Sequence, residues 1–164
     1  MRLMVLTTTF PKDKDDYTTP RFVYDLAYNI SESDFPTFVL TPDRPDSKYS
    51  IEKITDNFSV YRFKYFFKKC QNLTSGEGII PNLRKSIFNY VLIPFLIFKQ
   101  YLKAVRLIRK NKIDSINSHW LVPSGYIGAT IQRLYKKKNY VTIHAAGLYL
   151  LEKKPFGKCL AKYI

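Results

Sequence analysis

The sequence predicts an α/β fold, an open parallel sheet with helices on both faces. Three observations carry this. Short apolar runs of strand length alternate with longer stretches of helical period. The first such run begins almost at the N-terminus. The only two histidines, His119 and His144, each directly follow a predicted strand.

Leu3 to Leu6 reads as a buried parallel strand. A polar loop follows, from Thr7 to Tyr17. Thr18 or Thr19 can cap a helix that has Pro20 at its first position. Phe22, Val23, Leu26, Ala27 and Ile30 form one amphipathic stripe on it. Thr37 to Thr41 is a second strand, ended by the turn residues Pro42, Asp43, Arg44 and Pro45. Ser59 to Phe63 is a third. Residues 64–83 show no clear period and read as a long loop, a feature often tied to function. Residues 84–110 are helical in pattern, with Pro94 starting a new helix or kinking one. Arg106, Arg109 and Lys110 suit the dipole of the last turn.

Asp114 to Ser118 is a fourth, weakly apolar strand, followed by His119 and Trp120. Pro123 opens a helix to about Tyr135, whose small residues Ser124, Gly125, Gly128 and Ala129 allow close packing. Tyr140 to Ile143 is a fifth strand. His144-Ala145-Ala146-Gly147 follows, and a last helical stretch runs to Ile164. That stretch has no glycine cap and no polar tail, so the architecture is expected to continue.

The chain has 164 residues, 46% of them hydrophobic, which suits one domain with one sizeable core. Its net charge of +14 favours anionic partners without choosing among them. Cys70 and Cys159 are too few and too far apart for a disulfide framework and have no neighbours at metal-ligand spacing. The N-terminal apolar run is too short for a signal peptide. The longest apolar run, Tyr90 to Phe98, is far below the roughly 20 residues of a membrane span. No metal or cofactor is expected in this chain.

In open α/β sheets, ligands bind outside the carboxyl ends of the strands. His119 and His144 are therefore candidate site residues, suited to proton transfer and to hydrogen-bonding sugar or phosphate oxygens. Trp120 offers a face on which a sugar ring can rest. The 7–17 loop, with Thr8 and Thr9, leaves the same edge, and Arg21 at the next helix start can pair with phosphate or carboxylate. The loop lacks any G-x-G-x-x-G fingerprint, which speaks against a nicotinamide dehydrogenase. The absence of P-loop, H-E-x-x-H, C-x-x-C and G-x-S-x-G patterns removes support for P-loop phosphoryl transfer, metal hydrolysis and serine hydrolysis.

Several segments fall in a familiar order. They are Val5 to Pro11, Pro20 to Ala27, Ile80 to Arg84, His119 to Gly125, and Val141 to His144. In these residues the chain resembles the N-terminal part of family 4 glycosyltransferases, which have the GT-B fold. The resemblance implies a Rossmann-like acceptor-side domain over 1–164, the donor-binding domain being absent. That second domain would carry a Glu-x7-Glu motif and bind the nucleotide-sugar donor, and transfer would retain anomeric configuration without a metal. It implies that His144 lies near the transferred sugar and that His119 and Trp120 line the cleft; Thr8, Thr9, Arg21 and Gly147 are the further candidate acceptor-binding residues. Gly147 stands where the family's His-Gly-x-Asp motif has its acid.

The expected role is half of a sugar transferase, incomplete alone. Its expected partners are a glycan or lipid-linked acceptor, a donor-binding partner chain and an anionic membrane surface. Its expected place is cytoplasmic, on the inner face of the plasma membrane. The alternative is a non-catalytic basic module that docks on a membrane or a partner chain. Basic residues are scattered and no nucleic-acid motif is present, so a nucleic-acid partner is not expected.

Overall fold

A computed structural model describes residues 1–13, 15–76, 78–144, 152 and 155–164. Six strands form one sheet: β1 (Leu3–Leu6), β2 (Thr37–Pro42), β3 (Ile51–Lys53), β4 (Phe58–Phe63), β5 (Ser115–His119) and β6 (Lys138–Thr142). Their order across the sheet is β3-β4-β2-β1-β5-β6. All neighbours are parallel except β3, which pairs antiparallel with β4 at the edge. The helices are α1 (Phe22–Glu32), α2 (Ile79–Lys85), α3 (Phe88–Asn111), α4 (Tyr126–Tyr135) and α5 (Gly157–Tyr163). The α/β class and the parallel sheet predicted from sequence are what the fold shows.

Strand β1 is central and buried at every position. Alternation along it splits its side chains between two cores. Leu3 and Val5 pack with Val23 and Ala27 of α1, and with Val39, Phe58 and Val60. Met4 and Leu6 pack with Leu92, Leu96, Ala104 and Ile108 of α3 and Ile127 and Ile131 of α4. The chain leaves β1 toward β2 through α1 and returns to β5 through α3. Right-handed crossovers in opposite directions place those helices on opposite faces. The carboxyl ends of β1 and β5 thus meet where the strand order reverses.

Several boundaries differ from expectation, each for a local reason. The α1 cap is Arg21, not a threonine. The side chains of Thr18 and Thr19 instead donate to the buried Asp16 carboxylate, which also accepts from the Lys12 and Thr18 backbone N–H groups. Burial opposes ionisation of Asp16, but these hydrogen bonds outweigh it and hold its pKa well below the usual carboxylate range. Arg44 Nη1 adds an ion pair at 3.3 Å. In the α1 stripe Val23 and Ala27 are buried, while Phe22 and Leu26 are exposed.

The supposed loop of residues 64–83 is pinned. It holds a short 3₁₀ turn, Lys68–Cys70, and the start of α2. Buried Gln71 accepts from the Tyr65 N–H through Oε1 at 2.8 Å, and Tyr65 Oη accepts from the Leu73 N–H at 3.1 Å. Asn82 Nδ2 donates to the carbonyls of Ser75 and Gly78. Pro94 lies inside α3, and the helix break falls earlier, before Phe88. His119 is the last residue of β5 rather than the one after it. Leu121–Gly125 forms a wide turn ahead of α4. Of the expected final helix, Gly157–Tyr163 is seen, and residues 145–151 and 153–154 lie outside the described residues.

Helix α4 approaches the sheet closely at Gly128. A Cβ there would sit 2.2 Å from Ser118 Oγ and 2.5 Å from Asn139 Oδ1, atoms that are joined by a 2.8 Å hydrogen bond. Gly128→Ala is expected to cost about 1–3 kcal/mol, the usual range for overpacking. Urea unfolding monitored by circular dichroism measures it, with the midpoint moving down.

Candidate active site

Three segments converge at the switch point between β1 and β5. Strand β1 delivers Thr7, Thr8 and Thr9. Strand β5 delivers His119 and Trp120. His144 stands two residues beyond β6. Because β5 and β6 run parallel with His119 opposite Thr142, the two histidines are brought side by side.

His119 Nδ1 lies 3.3 Å from His144 Nε2, and the rings stack with centroids 5.5 Å apart. One nitrogen donates and the other accepts, so the pair needs complementary neutral tautomers. The Trp120 ring lies 4.2 Å from His144, and Phe22 of α1 lies 4.8 Å from it. Phe22 also meets Trp120 edge-on at 6.2 Å. His119 is buried, with 1% exposure, whereas Trp120 and His144 are partly open.

Burial lowers the His119 pKa to about 4, with the neighbouring His144 adding to the shift. Burial also lowers that of His144. Both rings are thus held neutral at physiological pH. As neutral groups they can donate to or accept from a hydroxyl but cannot act as fixed cations. His119 Nε2 and Trp120 Nε1 are buried polar atoms with no hydrogen-bond partner among the described residues. Buried polar groups are normally paired and an orphan is costly, so these two atoms are the polar groups of this edge that the fold leaves unexplained.

The Trp120 backbone sits at φ 72°, ψ 142°, a region that a bulky residue enters only under constraint. The constraint is visible. Its N–H donates to the Thr142 carbonyl at 3.1 Å, and its carbonyl accepts from the Gly125 N–H at 2.9 Å. A Cβ on Gly125 would approach that carbonyl oxygen to 2.9 Å, so only glycine fits beneath the turn.

The other expected site residues are placed as follows. Thr8 and Thr9 are buried, and the Thr9 N–H donates to Thr7 Oγ1. Arg21 lies over the Tyr24 ring at 4.7 Å and near Asp25 at 3.9 Å. Gly147 lies outside the described residues. Sequence reasoning missed two participants. Phe22 was counted into the core stripe. Gln100, fully buried on α3, donates from Nε2 to the Thr7 carbonyl and Ser124 Oγ, tying the β1 end to the β5–α4 turn. Its signal was a polar residue four positions from both Leu96 and Ala104 on an apolar face.

Because both histidine pKa values are lowered on folding, the unfolded chain binds more protons below the ordinary value near 6.5, and stability falls on acidification from there toward about pH 4. His119→Gln is expected to flatten that part of the profile. Melting temperature measured across this pH range, in both proteins, checks it.

No protein-family model matches the chain, and no curated protein does. Solved structures do. The chain is similar to two structures of sucrose-phosphate synthase from Thermosynechococcus elongatus, each at 12% sequence identity. For one the TM-score is 0.59, over 93% of this chain and 68% of that one. For the other it is 0.63, over 99% of this chain and 38% of that one. The likeness is one of architecture: the chain has the Rossmann-like fold of a domain found in a glycosyltransferase.

Proposed function

We propose that this chain is the acceptor-binding half of a sugar transferase of the family 4 type. A second Rossmann-like unit would bring the nucleotide-sugar donor. The carrying observation is the cluster of His119, Trp120, His144 and Phe22 at the carboxyl edge of the sheet. Sugars offer hydroxyls that donate and accept and apolar ring faces that pack on aromatics. The cluster offers the complement: neutral imidazoles that can donate and accept, and a partly open indole. The fold shared with sucrose-phosphate synthase supports the same reading.

In this reading Trp120 and Phe22 seat a ring of the acceptor, a glycan or lipid-linked sugar of cell-surface polysaccharide synthesis. His144, neutral and partly open, hydrogen-bonds a hydroxyl of the transferring sugar. His119 orients His144 through the 3.3 Å contact and is a positioning residue. With a donor-binding domain supplied, His144→Ala is expected to lower transfer by about a hundredfold or more, the usual weight of one preorganised hydrogen-bonding group at the reacting centre. Near-normal transfer by that variant would remove His144 from the mechanism.

A second reading has its own observation. Phe88, Val91, Phe95 and Phe98 recur at helical spacing on α3 and are exposed, Phe98 at 58%. Ile87 just before them is 86% exposed, and Phe67 beside Phe66 is 76% exposed. From Lys64 to Lys112 the sole acidic residue is Glu77, while lysine and arginine recur throughout. An apolar stripe rimmed by cations suits the interface of an anionic bilayer. No helix among the described residues is long and apolar enough to cross a membrane. The chain is expected to float with vesicles containing phosphatidylglycerol and not with phosphatidylcholine alone. Phe95→Glu with Phe98→Glu is expected to abolish flotation; no co-flotation of the unaltered chain would sink the membrane reading.

A further inference from the structure

Helix α5 is held to α4 by one side chain. Tyr126, Thr130 and Arg133 follow one another at spacings of four and three on α4 and so share a face. All three meet Tyr163. The Tyr126 and Tyr163 rings lie 5.3 Å apart between centroids. Thr130 Oγ1 donates its single proton to the Tyr126 carbonyl, so the Tyr163 hydroxyl, 3.1 Å away, is the donor to Thr130. The Arg133 guanidinium lies 4.0 Å over the Tyr163 ring, and its Nη2 donates to the Tyr163 carbonyl.

A helix of seven residues does not hold its shape in water by itself. Gly157 is the one fully buried residue of α5, and Lys158, Cys159, Ala161 and Lys162 are exposed. Docking on α4 through Tyr163 is therefore what keeps α5 in place.

The next residue reaches the strained turn. Ile164 N–H donates to the Leu160 carbonyl at 3.1 Å, so α5 sets the direction of Ile164. The point where a Gly125 Cβ would stand lies 2.9 Å from the Trp120 carbonyl oxygen and 3.3 Å from both Ile164 Cγ2 and Val141 Cγ1. Gly125 is the residue whose N–H holds the Trp120 carbonyl. Its backbone is thus flanked by one methyl group from α5 and one from β6, the strand that leads to His144. A bulky residue at positive φ persists only where its surroundings over-determine it, and Ile164 is part of those surroundings.

We infer that Tyr163 and Ile164 are positioning residues of the Trp120–His144 cluster: α5, docked on α4, backs the Trp120 turn and holds the indole against His144. This deepens the transferase reading and rests on it only in calling the cluster an acceptor site. The docking itself is measured without any sugar.

Trp120 is the only tryptophan and His119 and His144 the only histidines, so indole emission and the imidazole resonances report this cluster alone. In the full chain, Tyr163→Ala is expected to shift Trp120 emission to longer wavelength and to let acrylamide quench it more steeply. The His144 pKa is expected to rise toward the ordinary value, because a loosened indole buries the ring less. Tyr163→Phe, which keeps the ring under Arg133, is expected to restore most of the native emission. Ile164→Ala is expected to leave the Tyr126–Tyr163 nuclear Overhauser contact intact and still shift the emission, and it carries the test alone should Tyr163→Ala not fold. The inference is overturned if Tyr163→Ala abolishes α5 docking while emission and both imidazoles stay as they were, or if Ile164→Ala leaves them unchanged. In those cases α5 merely covers α4. Shifted spectra in a chain that supports no transfer when given a donor domain overturn the transferase reading and leave the positioning role standing. Unshifted spectra with transfer intact do the reverse.

Discussion

The constraint on which the molecule turns is the position of β1. A parallel strand with parallel neighbours on both sides needs crossover connections, and their common handedness sends the flanking helices to opposite faces. From this follow the two cores, one under α1 and one under α3 and α4. The same arrangement brings the carboxyl ends of β1 and β5 together where the strand order reverses. His119 and His144 meet there because β5 and β6 run in parallel register, not because of any local affinity between the rings.

Around that edge, polar groups are spent on fixing the backbone. Asp16 gathers both threonine hydroxyls and three backbone N–H groups, and Arg44 neutralises it from the loop after β2. Gln100 reaches from α3 to the end of β1 and to Ser124. These contacts are buried, where a hydrogen bond is stronger and an unpaired group is costlier. The loops at this edge are therefore held by networks rather than by regular structure. In a chain of net charge +14, the few carboxylates in such places carry disproportionate weight.

How much of this was legible in the sequence depended on whether burial had a period. Leu3 to Leu6, Thr37 to Thr41 and Ser59 to Phe63 announced themselves as contiguous or alternating apolar runs, and their strands are where expected. β3 did not, because Ile51, Glu52 and Lys53 form a short edge strand with mostly exposed side chains. α2 was hidden by Gly76, Gly78 and Pro81, which read as loop residues, while its real anchor is a side chain, Asn82, bonding backward to carbonyls. The threonine cap failed because a carboxylate two residues upstream competes for the same hydroxyls. Of the candidate site, His119, Trp120 and His144 were legible from their place at strand ends. Phe22 was not, since an amphipathic stripe cannot say which of its members faces a cleft instead of the core. Buried Arg62 was also opaque, because the carbonyls it bonds belong to residues remote in sequence.

The strained backbone at Trp120 has a consequence for entropy. An indole on an ordinary strand end chooses its direction among side-chain rotamers, and a ligand covering it must freeze that choice. Here main-chain hydrogen bonds fix the backbone torsions, and the His144 and Phe22 rings pack against the indole and restrict its rotamers. Much of its orientational freedom is thus given up when the chain folds, before any ligand arrives. The cost of ordering is carried by folding, and association with the ring is relieved of it.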